Sequence, residues 1–197
     1  MTDSERRVIL DALMEKEKLL LAAKNDYPDT IARLAAMMTE TITEGGLVLV
    51  CGNGGSAAES QHFAAEMVVR LTEKSERVAL PAVSLTTDTS VLTAAANDYG
   101  YDQVFSRQVE ALGRKVDMLL GLSTSGNSGN VINAFRTAHD LKIKTAALLG
   151  KGGGDLAEIA DFSIVVPSHS VLRIQEEHLF ILHQVVELVQ QSLSPEI

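Results

Sequence analysis

Apolar and charged residues alternate along the first 45 residues with the period of an α-helix. Apolar side chains recur at three- and four-residue intervals on both sides of Pro28, which places them on one face of a helix. Proline suits the first turn of a helix, and Gly45-Gly46 is typical of a helix end. The pattern therefore predicts two amphipathic helices, residues 4–24 and 28–45, that form an N-terminal helical hairpin.

After Gly46 the pattern changes to short apolar runs, each followed by a polar turn and a helical stretch. Uninterrupted apolar character is typical of strands that are buried on both faces of a parallel sheet. Strands that alternate with helices predict an α/β fold, a doubly wound parallel sheet of about five strands flanked by helices. A long final helix is predicted over residues 171–192. The predicted strands are Leu47–Cys51, Ala82–Leu85, Met118–Leu122, Thr145–Leu149 and Phe162–Val166.

The length fits one folded unit. A chain of 197 residues suits a single α/β domain, and no linker, repeat or low-complexity tract divides it. We expect one domain over residues 1–197, with the hairpin at 1–45 and the α/β core with its long C-terminal helix at 46–197. Because the hairpin must bury its apolar faces, a second subunit is one place for them.

Charge and cysteine content narrow the functional classes. The formal net charge of -9 disfavours a general nucleic-acid-binding role, since an acidic surface repels phosphate polymers. Cys51 is the single cysteine, so neither a disulfide framework nor a cysteine metal cluster is expected. The first residues lack the apolar stretch of a signal peptide, and no segment is long enough for a membrane span. We therefore expect a cytoplasmic protein with no nucleic-acid or membrane partner.

The loop after the first predicted strand has residues that suit a phosphate. Asn53, Gly54, Gly55 and Ser56 precede a helix, and glycines let backbone N–H groups approach a ligand at the positive end of that helix. The glycine spacing matches neither a dinucleotide fingerprint nor a P-loop. A plain strand-to-helix turn, with Ser56 as the N-cap, is the alternative interpretation.

The loop after the third predicted strand is rich in hydroxyl groups. Ser123, Thr124, Ser125 and Ser128 lie within six residues, again before a helix. One cap residue is enough for a helix, whereas four hydroxyls and free backbone amides can hold a phosphate without lysine or arginine. A solvated polar turn is the alternative. The two loops together favour a phosphate-ester site more strongly than either loop does.

A third polar pair, Asn97 and Asp98, ends the helical stretch after the second predicted strand. The amide and the carboxylate offer donors and acceptors for a polyhydroxylated ligand. An ordinary helix-end turn explains the same pair equally well.

Histidine and carboxylate residues occur at helical spacing in the first and last core helices. His62 and Glu66 form an i,i+4 pair that is able to ligate a divalent metal or simply to share a hydrogen bond. Gln175 and His183 lie about 12 Å apart along the last helix, so a ligand held by both would be stretched between them. Two polar surface positions are the alternative interpretation. His178 lies at a different angle on that helix and is expected either to have a structural role or to support residues that touch the ligand.

These residue types suit aldose–ketose isomerisation through an enediol. Glu66 would be the base that removes a proton beside the carbonyl, and His183 would move a proton between the two oxygens. A metal ion would polarise the carbonyl oxygen. A carboxylate bound tightly to a metal is not free to act as a base, so we expect the metal contact of Glu66 to be loose or to change during turnover.

The chain resembles the sugar isomerase (SIS) domain family and, within it, the phosphoheptose isomerases. The resemblance covers nearly the whole chain, and its motifs occur in the family's order. The segments that carry it are Cys51-Gly52-Asn53-Gly54-Gly55-Ser56-Ala57, Gln61-His62-Phe63-Ala64-Ala65-Glu66, Asn97-Asp98-Tyr99-Gly100, Ser123-Thr124-Ser125-Gly126-Asn127-Ser128 and Arg173-Ile174-Gln175-Glu176 with His178 and His183.

The resemblance implies conversion of sedoheptulose 7-phosphate to D-glycero-D-manno-heptose 7-phosphate, the first step toward heptose precursors of bacterial surface glycans such as lipopolysaccharide. It also implies a homotetramer with active sites at subunit boundaries, and one zinc ion per subunit. Glu66 and His183 take the family's catalytic positions, and His62, Glu66, Gln175 and His183 take its zinc positions. The implied substrate contacts are Asn53, Gly54, Gly55, Ser56, Asn97, Asp98, Ser123, Thr124, Ser125, Ser128 and Gln175.

One position departs from the family pattern, and two alternative functions stay open. Leu172 stands where some members have an acidic residue, so any contribution of that acid to catalysis is missing or comes from elsewhere. One alternative is a non-catalytic tetramer of the same fold that binds a protein such as the bacterial replication initiator. The other is an isomerase or binding protein for a different sugar phosphate. The presence of both Glu66 and His183 favours an enzyme.

Overall fold

The computed structural model describes residues 1–72 and 77–193. In that part of the chain, five strands form one parallel sheet in the order β2-β1-β3-β4-β5. The strands are β1 Val48–Gly52, β2 Ala82–Ser84, β3 Met118–Ser123, β4 Lys144–Leu149 and β5 Phe162–Val165. The helices are α1 Asp3–Thr43, α2 Gly55–Val68, α3 Thr89–Tyr99, α4 Ser106–Leu112, α5 Gly129–Asp140, α6 Gly154–Ile159 and α7 Val171–Leu193.

The sheet is buried on both faces, as its apolar runs predict. In β1, Val48 and Val50 belong to one apolar cluster, whereas Leu49 and Cys51 belong to another. The first cluster includes the buried side chains of α1, α2 and α7, and the second includes those of α3, α4, α5 and α6. The fold is therefore a three-layer, doubly wound α/β sandwich, which confirms the predicted fold class and places each strand within one residue of its predicted bounds.

The predicted N-terminal hairpin is wrong. Residues 3–43 form one continuous helix, α1, and Pro28 lies inside it. The helix continues because buried side chains on both sides of the proline, Tyr27 and Ile31, pack into the same apolar cluster as α7. Packing of this kind outweighs the hydrogen bond that a proline removes. The helix ends where predicted, before Gly45 with its positive φ of 81°.

Candidate active site

The two predicted phosphate loops lie side by side at the carboxyl edge of the sheet. β1 pairs with β2 on one side and with β3 on the other, so the chain leaves β1 and β3 toward opposite faces of the sheet. This position is the topological switch point, where ligands of open α/β sheets bind. The loops after β1 and β3 border the crevice that opens there.

The first loop turns sharply into α2. Gly54 is the N-cap of α2 and has a φ of 57°, a conformation that favours glycine. Gly55 leaves room for α7, because a Cβ atom there would overlap the side-chain amide of Gln175. Ser56 is therefore not the N-cap of α2. It lies inside the first turn of the helix and is buried. The start of α2 is shaped by contact with α7 and not by a serine cap.

The second loop gathers three of its four predicted hydroxyl groups. The Ser123 Oγ lies 3.0 Å from the Ser128 Oγ and 3.5 Å from the Ser125 Oγ, and it accepts the Gly126 N–H at 3.1 Å. Ser128 is the N-cap of α5, so the cluster lies at a helix N-terminus, where backbone N–H groups lack intrahelical acceptors. Thr124 lies in the same loop and is half-buried.

Asn53 is held by two residues that the sequence patterns did not indicate. Its Nδ2 donates to Asn130 Oδ1 at 2.9 Å, and Asn130 Nδ2 donates back to Asn53 Oδ1 at 2.8 Å. The Tyr101 hydroxyl donates to the same Asn53 oxygen at 3.0 Å. Asn130 is buried in the first turn of α5, so the reciprocal amide pair joins the two loops across the switch point.

Asn97 and Asp98 lie in the last turn of α3, exposed to solvent. The Asn97 Nδ2 donates to Asp98 Oδ1 at 2.7 Å, so part of their hydrogen-bonding capacity is used within the pair. The chain then reaches Tyr101, whose hydroxyl contacts Asn53. The pair is therefore connected to the first loop through the backbone of three residues.

A histidine–glutamate cluster lies farther along α2, where that helix packs on α7. The Nε2 atoms of His62 and His183 are 3.0 Å apart. Glu66 Oε1 lies 3.1 Å from the His62 nitrogen and 3.4 Å from the His183 nitrogen. Three ligand atoms from two helices thus converge on one point. Glu66 Oε2 is buried and has no hydrogen-bond partner within residues 1–72 and 77–193.

The cluster fits a zinc ion. Two nitrogens and one carboxylate oxygen are a donor set that zinc accepts, and bonds of about 2.0–2.1 Å in a tetrahedron place ligand atoms about 3.3 Å apart. The three separations above agree with that spacing. Three protein ligands leave one of four positions for a further protein ligand, water or substrate.

Gln175 and Leu172 lie away from this cluster. The Gln175 amide packs against Gly55, at the end of the α2–α7 contact that faces the phosphate loops, about 12 Å along α7 from His183. Within one subunit the structure thus groups three of the four predicted zinc ligands and leaves Gln175 beside the first loop. Its assignment as a ligand stays a prediction. Leu172 is largely exposed within one subunit.

A comparison with known proteins identifies the family of this chain. The SIS domain model matches residues 13–150 of this chain. The chain belongs to the SIS domain family. Among proteins of that family, a phosphoheptose isomerase of Chlorobaculum parvum is 50% identical over 94% of this chain and 90% of its own length. A phosphoheptose isomerase of Helicobacter pylori is 45% identical over 94% of this chain and 98% of its own length.

Solved structures of SIS-domain proteins have the same architecture. The phosphoheptose isomerase GmhA of Neisseria gonorrhoeae superposes with a TM-score of 0.87 at 42% identity, covering 95% of this chain and 98% of the other. A phosphoheptose isomerase of Francisella tularensis superposes with a TM-score of 0.90 at 38% identity, covering 97% and 100%. The resemblance predicted from the motifs is confirmed, and it extends over almost the whole length of these SIS proteins.

Proposed function

We propose that this SIS-domain protein is a phosphoheptose isomerase, which converts sedoheptulose 7-phosphate to D-glycero-D-manno-heptose 7-phosphate. Relatives that are 38–50% identical to this chain over nearly its full length are phosphoheptose isomerases. The observation that carries the chemistry is the contact between Glu66 and His183, which brings a carboxylate and an imidazole within 3.4 Å. An isomerase needs such a pair at one carbon–oxygen unit.

Glu66 and His183 carry out different proton transfers of the reaction. The Glu66 carboxylate takes a proton from C1, beside the C2 carbonyl, and a 1,2-enediol forms. The His183 imidazole donates a proton to the C2 oxygen and accepts one from the C1 hydroxyl, through a ring nitrogen that the metal leaves free. Return of the proton from Glu66 to C2 leaves an aldehyde at C1, so no atom is gained or lost.

We assign one zinc ion per subunit to His62, Glu66 and His183. Gln175 of the same subunit lies beside Gly55, so a Gln175 that serves as the fourth ligand would come from a neighbouring subunit at the proposed subunit boundary. The bound ion would polarise the carbonyl and order the site. Elemental analysis of the purified protein should find one zinc per chain, and a chelator should abolish turnover until zinc is added back. Full activity of metal-free protein would contradict the assignment.

The phosphate is proposed to bind at the switch point, between the Gly54-Gly55 turn and the hydroxyl cluster around Ser123. The first turn of α2 and His62 are seven residues apart, about 10 Å along the helix axis. An extended sugar phosphate can cover that distance, with its phosphate at the loops and its carbonyl near Glu66. Asn53, Asn97 and Asp98 would then contact hydroxyl groups along the sugar. The proposed phosphate contacts are Gly54, Gly55, Ser56, Ser123, Thr124, Ser125 and Ser128.

The assembly and its cellular place are further parts of the proposal. A homotetramer with active sites at subunit boundaries is supported by apolar side chains that α1 exposes, among them Leu13 and Leu21.

The free thiol of Cys51 is buried, which agrees with the cytoplasm as the compartment. Heptose precursors of surface glycans such as lipopolysaccharide are the proposed use of the product. Within residues 1–72 and 77–193, no helix is long and apolar enough to cross a bilayer.

The test is turnover of sedoheptulose 7-phosphate, followed by NMR detection of the aldose product. The wild type should form the aldose, and Glu66→Gln and His183→Gln should each lose at least 100-fold in kcat, on the order expected for loss of general acid–base catalysis. His139→Gln is the matched control, since His139 is exposed and lies before β4, at the opposite edge of the sheet. No turnover by zinc-loaded wild type would reject the isomerase in favour of the protein-binding alternative.

Substrate length needs a separate comparison. Five-, six- and seven-carbon ketose phosphates share the reacting carbons but differ in the distance from C1 to the phosphate. The separation between the loops and Glu66 predicts that the seven-carbon substrate has the highest kcat/KM. A clear preference for a shorter sugar would retain the isomerase and reject the heptose.

A further inference from the structure

The contact between α2 and α7 contains a buried polar pair that lies between the two halves of the proposed active site. At one end of the contact Gln175 packs on Gly55, and at the other His183 meets His62 and Glu66. Between them the carboxylate of Glu59 faces the imidazole of His178 at 4.0 Å. Glu59 is four residues after Gly55 and His178 is three after Gln175, so the pair occupies the next helical turn on each side.

The tautomer of His178 follows from its second contact. The Nε2 of His178 is 3.2 Å from the carbonyl oxygen of Leu149, at the carboxyl end of β4. A carbonyl oxygen only accepts, so Nε2 carries the proton and donates it. Burial lowers the pKa of His178 to about 4, although the bond to Leu149 opposes the shift. The ring is therefore neutral, and its Nδ1 is an acceptor.

Both facing atoms lack a partner and are withdrawn from water. His178 Nδ1 and Glu59 Oε2 have no hydrogen-bond partner within the described chain. His178 is fully buried, and Glu59 is 9% exposed. Two acceptors facing each other in such a place are unfavourable. A proton on the Glu59 carboxyl group removes the conflict, because Oε2 then becomes a donor for Nδ1.

We propose that Glu59 is a positioning residue held as a neutral carboxylic acid, and that it donates a hydrogen bond to Nδ1 of His178. The bond fixes α2 against α7 and β4, and so holds Gln175 at the phosphate loop and His183 beside His62 at the same time. Burial also raises the pKa of Glu59 to about 7, opposed in part by a hydrogen bond with Ser56. The bond requires the 4.0 Å separation of Glu59 Oε2 and His178 Nδ1 to shorten by about 1 Å.

Spectroscopy of the wild type tests the protonation states directly. At pH 6 the infrared spectrum should contain the carbonyl band of a buried carboxylic acid, and Glu59→Gln should lack it. Nitrogen NMR should find His178 neutral, with the proton on Nε2. Absence of the acid band, or a proton on Nδ1 of His178, would overturn the proposal whether or not the protein is an isomerase.

Two variants at Glu59 test the positioning role, which rests on the proposed site. Glu59→Gln keeps the shape and donates an N–H, so zinc affinity and kcat/KM should stay within about threefold of the wild type. Glu59→Leu removes the donor and should lower zinc affinity, measured by calorimetry, by about 10–100-fold, the order found when groups that orient metal ligands are removed. If Glu59→Gln is as impaired as Glu59→Leu, a charged carboxylate is needed. If Glu59→Leu keeps the zinc affinity of the wild type, no such bond exists. Both outcomes contradict the proposal, and neither depends on the identity of the substrate.

Discussion

At the scale of single residues, the proposed site depends on side chains that hold other side chains. The side-chain amide of Asn53 is held by hydrogen bonds with Asn130 and Tyr101. Asn130→Ala removes one acceptor and one donor from Asn53, each worth about 1 kcal/mol. We expect KM for the sugar phosphate to rise about tenfold, with a smaller change in kcat. Steady-state kinetics measure both constants.

Tyr101→Phe is the matched control for that prediction. It removes a single hydroxyl from the same Asn53 oxygen and leaves the amide pair intact, so KM should rise only a few-fold. An unchanged KM in Asn130→Ala would show that Asn53 needs no buried partner or that it does not contact the substrate.

The raised pKa of Glu59 predicts how stability depends on pH. The pKa of Glu59 is raised by burial from 4.5 to about 7 in the folded protein, so the folded state binds its proton more tightly than the unfolded state does. The stability from this proton is present below pH 4.5 and is lost as pH rises to about 7. The glutamine side chain of Glu59→Gln does not titrate. The variant and the wild type both contain His178, the titratable residue of α7 that faces position 59.

The two proteins should therefore differ in their pH profiles. The unfolding free energy of Glu59→Gln relative to the wild type should increase between pH 4.5 and pH 7.5 by an amount on the order of 2 kcal/mol. Denaturant unfolding at a series of pH values measures it. A difference that is constant with pH would mean that Glu59 titrates alike in the folded and unfolded states.

At the scale of elements, local patterns predicted the sheet well and the first helix poorly. The strands were found because their apolar runs are short and bounded by polar turns, as in Leu47–Cys51. The helical hairpin was wrong because Pro28 signals a helix start locally, whereas burial of Tyr27 and Ile31 against α7 is a tertiary effect. The cluster of His62, Glu66 and His183 was predicted from helical spacing and the family resemblance, and the fold brings its members together.

Other residues of the site could not be identified from the local sequence pattern. Asn130 lies at an ordinary position after the hydroxyl-rich loop, and only the closeness of β1 and β3 brings it to Asn53. Glu59 gave a weak signal, since a carboxylate four residues before the buried Phe63 lies on the apolar face of α2. A rule that flags charged residues on apolar helix faces would have found it, although not its partner on α7.

The interior proline of α1 leads to a prediction about that helix. Pro28 is exposed and cannot donate to the carbonyl of Lys24, so Pro28→Ala should restore one helical hydrogen bond with little loss of packing. We expect a gain in unfolding free energy of about 1–3 kcal/mol, measured by thermal or denaturant unfolding. Asp29→Ala, at an exposed neighbouring position of the same helix, is the control and should change stability by less than about 0.5 kcal/mol. A destabilised Pro28→Ala would mean that the ring packs against something not present within one chain.

At the scale of the whole molecule, the first half of α1 exposes several apolar side chains on the described part of the subunit. Val8, Leu10, Leu13, Met14 and Leu21 are each between 47% and 68% exposed. Four of them, Leu10, Leu13, Met14 and Leu21, share one stripe of the helix. A monomer that exposed such a stripe would be prone to associate, which agrees with the proposed homotetramer.

Charge placed on the stripe should therefore weaken the assembly. Leu13→Lys should lower the average mass in sedimentation or light scattering by at least half at micromolar concentration, because a buried charge without a partner is strongly unfavourable at an interface. Glu15→Lys adds the same side chain to the opposite face of the helix and should keep the wild-type mass. If active sites form at subunit boundaries, turnover should fall with the mass of Leu13→Lys and recover at higher protein concentration. Full activity of a stable Leu13→Lys monomer would confine the catalytic site to one chain, with Glu66 and His183 of the same subunit sufficient for the reaction.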